Sequence, residues 1–225
     1  MPRSGSWFLC GLLASTGVLG TPRQFFWQPE EREVRARHGL RSDAEYLEWV
    51  LTRGTTANGS FASKFELEEL KDVVGRLRQR DDGSEAELLA RAFPSPSYVW
   101  LRREDTVAQA VSWARAIQTN QWRSSAPPGG EPSFDPEQIG GLVELIRWET
   151  DAWAGWFAAQ EIAPLRVTYE ELQSDRRRTL ERIAEFAGVT LPPEVELRPY
   201  PGYEPQADGL NDEWANRYRA GVDAT

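Results

Sequence analysis

The sequence predicts an α/β fold in which a parallel sheet is flanked by helices, and three observations predict it. Three short β-prone runs, residues 60–65, 98–101 and 165–169, are separated by long helical stretches. A strand, a crossover and a second strand in one sheet pair in parallel, with the crossover covering a face. The run Tyr98-Val99-Trp100-Leu101 is also apolar throughout, the pattern of a strand covered on both faces.

Taken in order, residues 7–19 form an apolar first helix, closed by the Thr21-Pro22 break and the aromatic stretch Phe25-Phe26-Trp27. Residues 43–53 read as a second helix. Asn58-Gly59 marks a turn, and residues 60–65 read as a short strand that leads into a helix over 66–79. The polar cluster at 81–84 is a loop. After Pro94 and Pro96 comes the buried strand, then a helix over 106–121 and a Pro/Gly-rich loop over 124–136. A long helix over 138–160 precedes the strand at 165–169; residues 181–187 continue as helix, and the chain from 190 onward is Pro-rich and reads as irregular. No internal repeat is present, and 225 residues with 40% hydrophobic content suit one domain spanning 1–225.

Composition narrows the function classes. A formal charge of −9 argues against sequence-independent nucleic-acid binding, although an anionic ligand needs only a local positive cluster. One cysteine, Cys10, forms no internal disulfide, which suits the cytoplasm. One histidine, His38, and one cysteine argue against a His/Cys metal site. Lys64 and Lys71 are the only lysines among 26 basic residues, so a lysine beside a site carries weight.

The opening residues, Met1-Pro2-Arg3-Ser4-Gly5-Ser6, enter the first helix directly. Amides at a helix N-terminus, two Ser hydroxyls, an Arg and a permissive Gly are the groups that satisfy phosphate oxygens. This is no Walker A motif, because its Gly-x-x-x-x-Gly-Lys spacing is missing. The same residues also read as a secretory signal peptide, although Gly11, Ser15, Thr16 and Gly17 dilute its apolar run. That run is too short to span a membrane. A second candidate site follows the strand at 98–101. Ligands sit at the carboxyl ends of parallel strands, and there Arg103 offers a planar fork and Ser112 a hydroxyl two turns into the next helix. The competing reading is a solvated charge cluster over 102–105 with Asp105 capping the helix.

These segments occur in one order: Arg3-Ser4-Gly5-Ser6, Gly20-Thr21-Pro22, Phe25-Phe26, Arg103 with Ala110-Val111-Ser112-Trp113, Trp153-Ala154-Gly155-Trp156-Phe157, and Val167-Thr168-Tyr169-Glu170-Glu171-Leu172. Gln206-Ala207-Asp208, Asp212-Glu213-Trp214 and Arg217-Tyr218 follow. In that order and spacing the chain resembles the bacterial trehalose 2-sulfotransferase family over nearly its whole length. The resemblance implies a P-loop-like sheet of sulfotransferase type and transfer of a sulfuryl group from 3′-phosphoadenosine 5′-phosphosulfate (PAPS) to a hydroxyl of a sugar or other small molecule. It implies that Arg3, Ser4, Gly5 and Ser6 hold the 5′-phosphosulfate and that Arg103 and Ser112 hold the 3′-phosphate, with no metal. It also implies a homodimer. The strand that usually precedes the family's loop is missing ahead of Arg3, and an upstream start is expected. Pro205 and Leu210 stand where the family usually has Arg.

Gln24 stands where the family places the Glu that serves as general base, and an amide takes no proton. Lys64 and Glu66, two apart on an extended segment, share a face, so Lys64 can neutralise sulfuryl oxygens while Glu66 accepts the hydroxyl proton if burial lifts its pKa. Glu66 with Glu68 and Glu69 also fits the acidic first turn of a helix, and His38 is a further candidate base. Trp122, before the flexible loop, is a candidate acceptor contact, whereas Trp153 and Trp156, three apart, read as core. A catalytically weakened nucleotide-binding relative remains the alternative to an active enzyme.

Overall fold

The computed structural model describes residues 1–204 and 208–223; Pro205, Gln206 and Ala207 lie outside the described residues. The architecture is mixed α/β, with a small parallel sheet among helices. Strands β1 (Val99–Arg102) and β2 (Leu165–Thr168) pair in parallel, Val99 opposite Leu165 and Arg102 opposite Thr168. Their crossover consists of α6 (Thr106–Thr119) and α7 (Pro136–Ala159), which pack on each other. Both faces of β1 are covered: Trp100 joins a cluster with Trp156 and Phe157, while Val99 and Leu101 face a cluster built from Phe8, Leu12, Val167 and Leu180. That two-sided burial is why the strand shows no polar alternation.

Helix α1 (Ser6–Ser15) lies in the second cluster. It runs so close to the chain at Pro199 and Tyr200 that a Cβ on Gly11 would meet the Tyr200 nitrogen at 2.0 Å. Helices α2 (Gln28–His38), α3 (Asp43–Gly54), α4 (Leu67–Arg78) and α5 (Glu85–Ala92) form the lobe ahead of β1. Each of α3 and α5 begins with a Ser capping box, at Ser42 and Ser84. After β2 come α8 (Tyr169–Ser174) and α9 (Arg176–Phe186).

Two sequence expectations are corrected. Residues 60–65 are not a strand; they make one isolated bridge, Thr55 with Phe61, and run extended beside residues 21–25. Phe61 and Phe65, four apart and so on one face of an extended segment, both enter the aromatic core, Phe65 stacking on Phe26 at 5.1 Å; the segment's amides donate to scattered carbonyls, Ala62 to Gly54 and Lys64 to Arg23, so no ladder forms. The chain beyond 190 is irregular only at first, because α10 (Gly209–Asp223) closes it. Leu210, Trp214 and Tyr218 recur every fourth residue and pack against α6 and α7, a helical period hidden behind the prolines that precede it. Trp156 is core, as its spacing from Trp153 indicated, and its indole donates to Glu85 at 2.7 Å.

Candidate active site

The carboxyl ends of β1 and β2 deliver Arg103 and Tyr169 side by side, and the Arg103 guanidinium stacks on the Tyr169 ring at 4.8 Å. The loop that opens α1 lies against the other side of that pair. Gly5 caps the helix with φ of 85°, and a Cβ there would stand 2.5 Å from the Tyr169 ring, so only glycine fits. Arg3 also adopts a left-handed conformation, φ 59°. Among the described residues no side chain caps α1 at Gly5, and its first turn holds no acid, so this N-terminus keeps its capacity for an anion.

These groups line a cleft of about 980 Å³. Its walls include Arg3, Gly5, Ser6, Gln24, Lys64, Glu66, Arg103 and Ser112, so sequence-distant candidates are brought together. Ser4 is the exception: it is buried beneath the loop and its hydroxyl donates to the Met1 carbonyl at 2.9 Å. His38 lies elsewhere, exposed on α2 and packed beside Trp49. Trp122 lines the cleft and its carbonyl accepts from Arg3 at 3.4 Å.

The two expected anion sites are joined. Arg3 Nε donates to Ser112 Oγ at 2.9 Å, and burial followed by the Arg103 guanidinium lowers the Arg3 pKa. Among the described residues, Arg103 Nε is buried without a hydrogen-bond partner. Two close guanidiniums of which one has an orphaned buried N–H form a site whose electrostatics improve when an anion enters. The turn after β1 is braced by Glu170, which accepts from the Glu104 amide at 3.1 Å, while Asp105 caps α6.

The second wall carries Lys64. Its amide donates to the Arg23 carbonyl at 2.9 Å, which sets the side chain next to Gln24. Lys64 Nζ donates to Gln24 Oε1 and to Glu66 Oε1, both at 2.7 Å, and Gln24 Nε2 donates to Glu69. Glu66 also accepts from the Met1 ammonium. Burial pushes the Glu66 carboxyl up, but the Met1 ammonium and Lys64 outweigh it and draw it down to about 2. The expectation that burial lifts Glu66 towards neutrality is therefore corrected: the carboxylate is paired with Lys64 Nζ at 2.7 Å, and a carboxylate paired with a cation is a weaker base. In Glu69 and Glu149, by contrast, burial raises the pKa. Glu149, on α7, lines the same cleft, and sequence reasoning missed it because nothing local distinguishes it from the other acids of a long helix.

Exposed aromatic side chains rim the cleft: Trp27, Trp122 and Trp148, the last 63% exposed. Among the described residues no three His, Cys, Asp or Glu side chains group as a metal site, and no helix is long and apolar enough to cross a membrane.

A family model described as Stf0 sulphotransferase matches residues 1–221. The chain is similar to a trehalose 2-sulfotransferase of Mycolicibacterium smegmatis, 28% identical over 96% of this chain and 91% of the relative. A trehalose 2-sulfotransferase of Mycobacterium tuberculosis is 29% identical over 97% and 91% of the respective chains.

Proposed function

Because the chain belongs to the Stf0 sulphotransferase family, we propose that it moves a sulfuryl group from PAPS to a hydroxyl of a sugar or similar small molecule. The observation that carries the donor assignment is the orphaned buried Nε of Arg103, stacked on Tyr169 and beside Arg3 at the carboxyl ends of the strands. A nucleotide anionic at both its 3′ and 5′ ends would relieve that arrangement.

In this reading Arg103 and Ser112 hold the 3′-phosphate end; Arg3, expected from the sequence at the 5′-phosphosulfate, is grouped with them because it donates to Ser112 at 2.9 Å, and the Gly5 and Ser6 loop with the α1 N-terminus cradles the 5′-phosphosulfate in P-loop-like fashion. Ser4 supports the loop from below. When bound, the nucleotide supplies an activated sulfuryl group with a phosphate as leaving group. Lys64 faces the charge that develops on sulfuryl oxygens, while Gln24 and Glu66 fix its ammonium in place. Trp27, Trp122 and Trp148 present flat apolar faces of the kind that stack on sugar rings. The two relatives named for trehalose 2-sulfotransfer support a sugar acceptor. The proposal includes a single-domain, cytoplasmic homodimer that needs no metal.

Calorimetry with adenosine 3′,5′-bisphosphate (PAP) tests the donor site. Arg103→Ala and Arg3→Ala should each weaken binding by roughly 1.5–3 kcal/mol, the range for hydrogen bonds to charged groups. Equal affinity for adenosine lacking phosphates would overturn the assignment. A labelled-donor assay over a sugar panel tests transfer.

A further inference from the structure

The proposed transfer requires a proton acceptor, and Gln24 is an amide. Six acids line the cleft among the described residues: Glu66, Glu68, Glu69, Asp72, Glu149 and Glu204. Glu66 is held by Lys64 and the Met1 ammonium. Glu69 has both oxygens engaged, one by Gln24 Nε2 and the other by the Glu66 amide at 2.9 Å. Asp72 accepts from Gln28 at 2.7 Å, Glu204 accepts from Ser124 at the rim, and Glu68 is solvated. Glu149 remains. It is half-buried, belongs to the long helix α7 rather than to a loop, and its side chain makes no hydrogen bond or ion pair among the described residues.

Resting on the sulfotransfer reading, we infer that Glu149 is the base that takes the acceptor's proton, from the α7 wall facing the Lys64 cluster. The acceptor oxygen forms a bond to sulfur as the bond between sulfur and the bridging phosphate oxygen breaks. The bridging electron pair leaves on PAP, and the hydroxyl proton passes to the Glu149 carboxylate. Burial makes this carboxylate a stronger base than an exposed one, with Glu66 and Glu68 adding to the effect and the Met1 ammonium and Lys64 opposing it. This chain then keeps a carboxylate in the cleft although position 24 has none.

The test compares the unaltered protein with Glu149→Gln, Glu149→Asp, Glu66→Gln and Glu69→Gln. Glu149→Gln should lose about 10²–10⁴-fold in kcat, the usual contribution of a positioned base, while PAP affinity by calorimetry stays within twofold. The acid limb of the kcat–pH profile should vanish in Glu149→Gln, persist in Glu66→Gln and Glu69→Gln, and return with partial turnover in Glu149→Asp. Carbon-13 NMR of glutamate-labelled protein should show that the carboxyl resonance deleted by Glu149→Gln titrates above the ordinary Glu range. Full turnover in Glu149→Gln, a parallel loss of PAP binding, or loss of the acid limb in Glu69→Gln would each overturn the assignment. Absence of PAP binding by the unaltered protein would instead sink the sulfotransfer reading itself.

Discussion

At the scale of single residues, the Lys64 cluster shows how a substitution is absorbed by its neighbours. Gln24 bridges Lys64 and Glu69, accepting from one and donating to the other. Gln24→Glu would set two carboxylates against each other at the Glu69 end, a contact that should cost about 1–3 kcal/mol through the lost donor. The reciprocal double variant Gln24→Glu/Glu69→Gln restores a donor and an acceptor with roles exchanged. Urea unfolding of the unaltered protein, Gln24→Glu, Glu69→Gln and the double variant should show the double variant more stable than Gln24→Glu alone, and additive losses would contradict the coupling. Glu66 bears on pH dependence. Its folded pKa of about 2 lies below the ordinary value of 4.5, so its stabilisation is complete above about pH 4.5 and disappears as pH falls towards 2. Glu66→Gln should therefore lower Tm at neutral pH and flatten the acid side of the Tm–pH curve.

At the scale of elements, α6 matters because it presents Ser112 to Arg3. Its start is held by Asp105, which accepts the Ala108 amide at 2.9 Å and pairs with Arg219 of α10 at 2.6 Å. Both partners of that ion pair are more than a third exposed, so the pair contributes at most about 1 kcal/mol, whereas loss of an N-cap costs typically about 1 kcal/mol. Asp105→Asn, which keeps the cap, should cost less than Asp105→Ala in chemical denaturation. Equal losses would mean that the ion pair, not the cap, anchors α6.

At the scale of the whole molecule, the cleft is closed by parts of the chain far apart in sequence: the loop before α1, the exit of β1 and the start of α8. A ligand seated there clamps all three. PAP at a hundred times its Kd should stabilise the fold by about 2.7 kcal/mol and raise Tm measurably. In Arg103→Ala the same concentration should give a clearly smaller shift by scanning calorimetry, and an unchanged shift would dissociate Arg103 from the bound anion.

Much of this arrangement was legible in sequence because it depends on local patterns. The apolar runs of β1 and β2, the helical stretches between them, the Asp105 cap and the glycine at the start of α1 each follow from short-range sterics or from the period of buried residues. The placement of Gly5 and Ser6 at a helix N-terminus and of Arg103 at the carboxyl end of a strand was legible for the same reason, as topology predicts both positions; their roles toward a donor are the proposal. That the extended segment 60–65 joins no sheet was not legible, because its neighbours are residues 21–25 and an aromatic core assembled from distant segments. Nor was the protonation of the acids in the cleft. Glu66, Glu69 and Glu149 are chemically one residue type, and the two cations at Glu66, the two donors at Glu69 and the unpaired burial of Glu149 exist only once α4, α7 and the opening loop are packed together. A carboxylate's basicity is set by the charges and solvent within a few ångströms, and those neighbours are chosen by the tertiary fold.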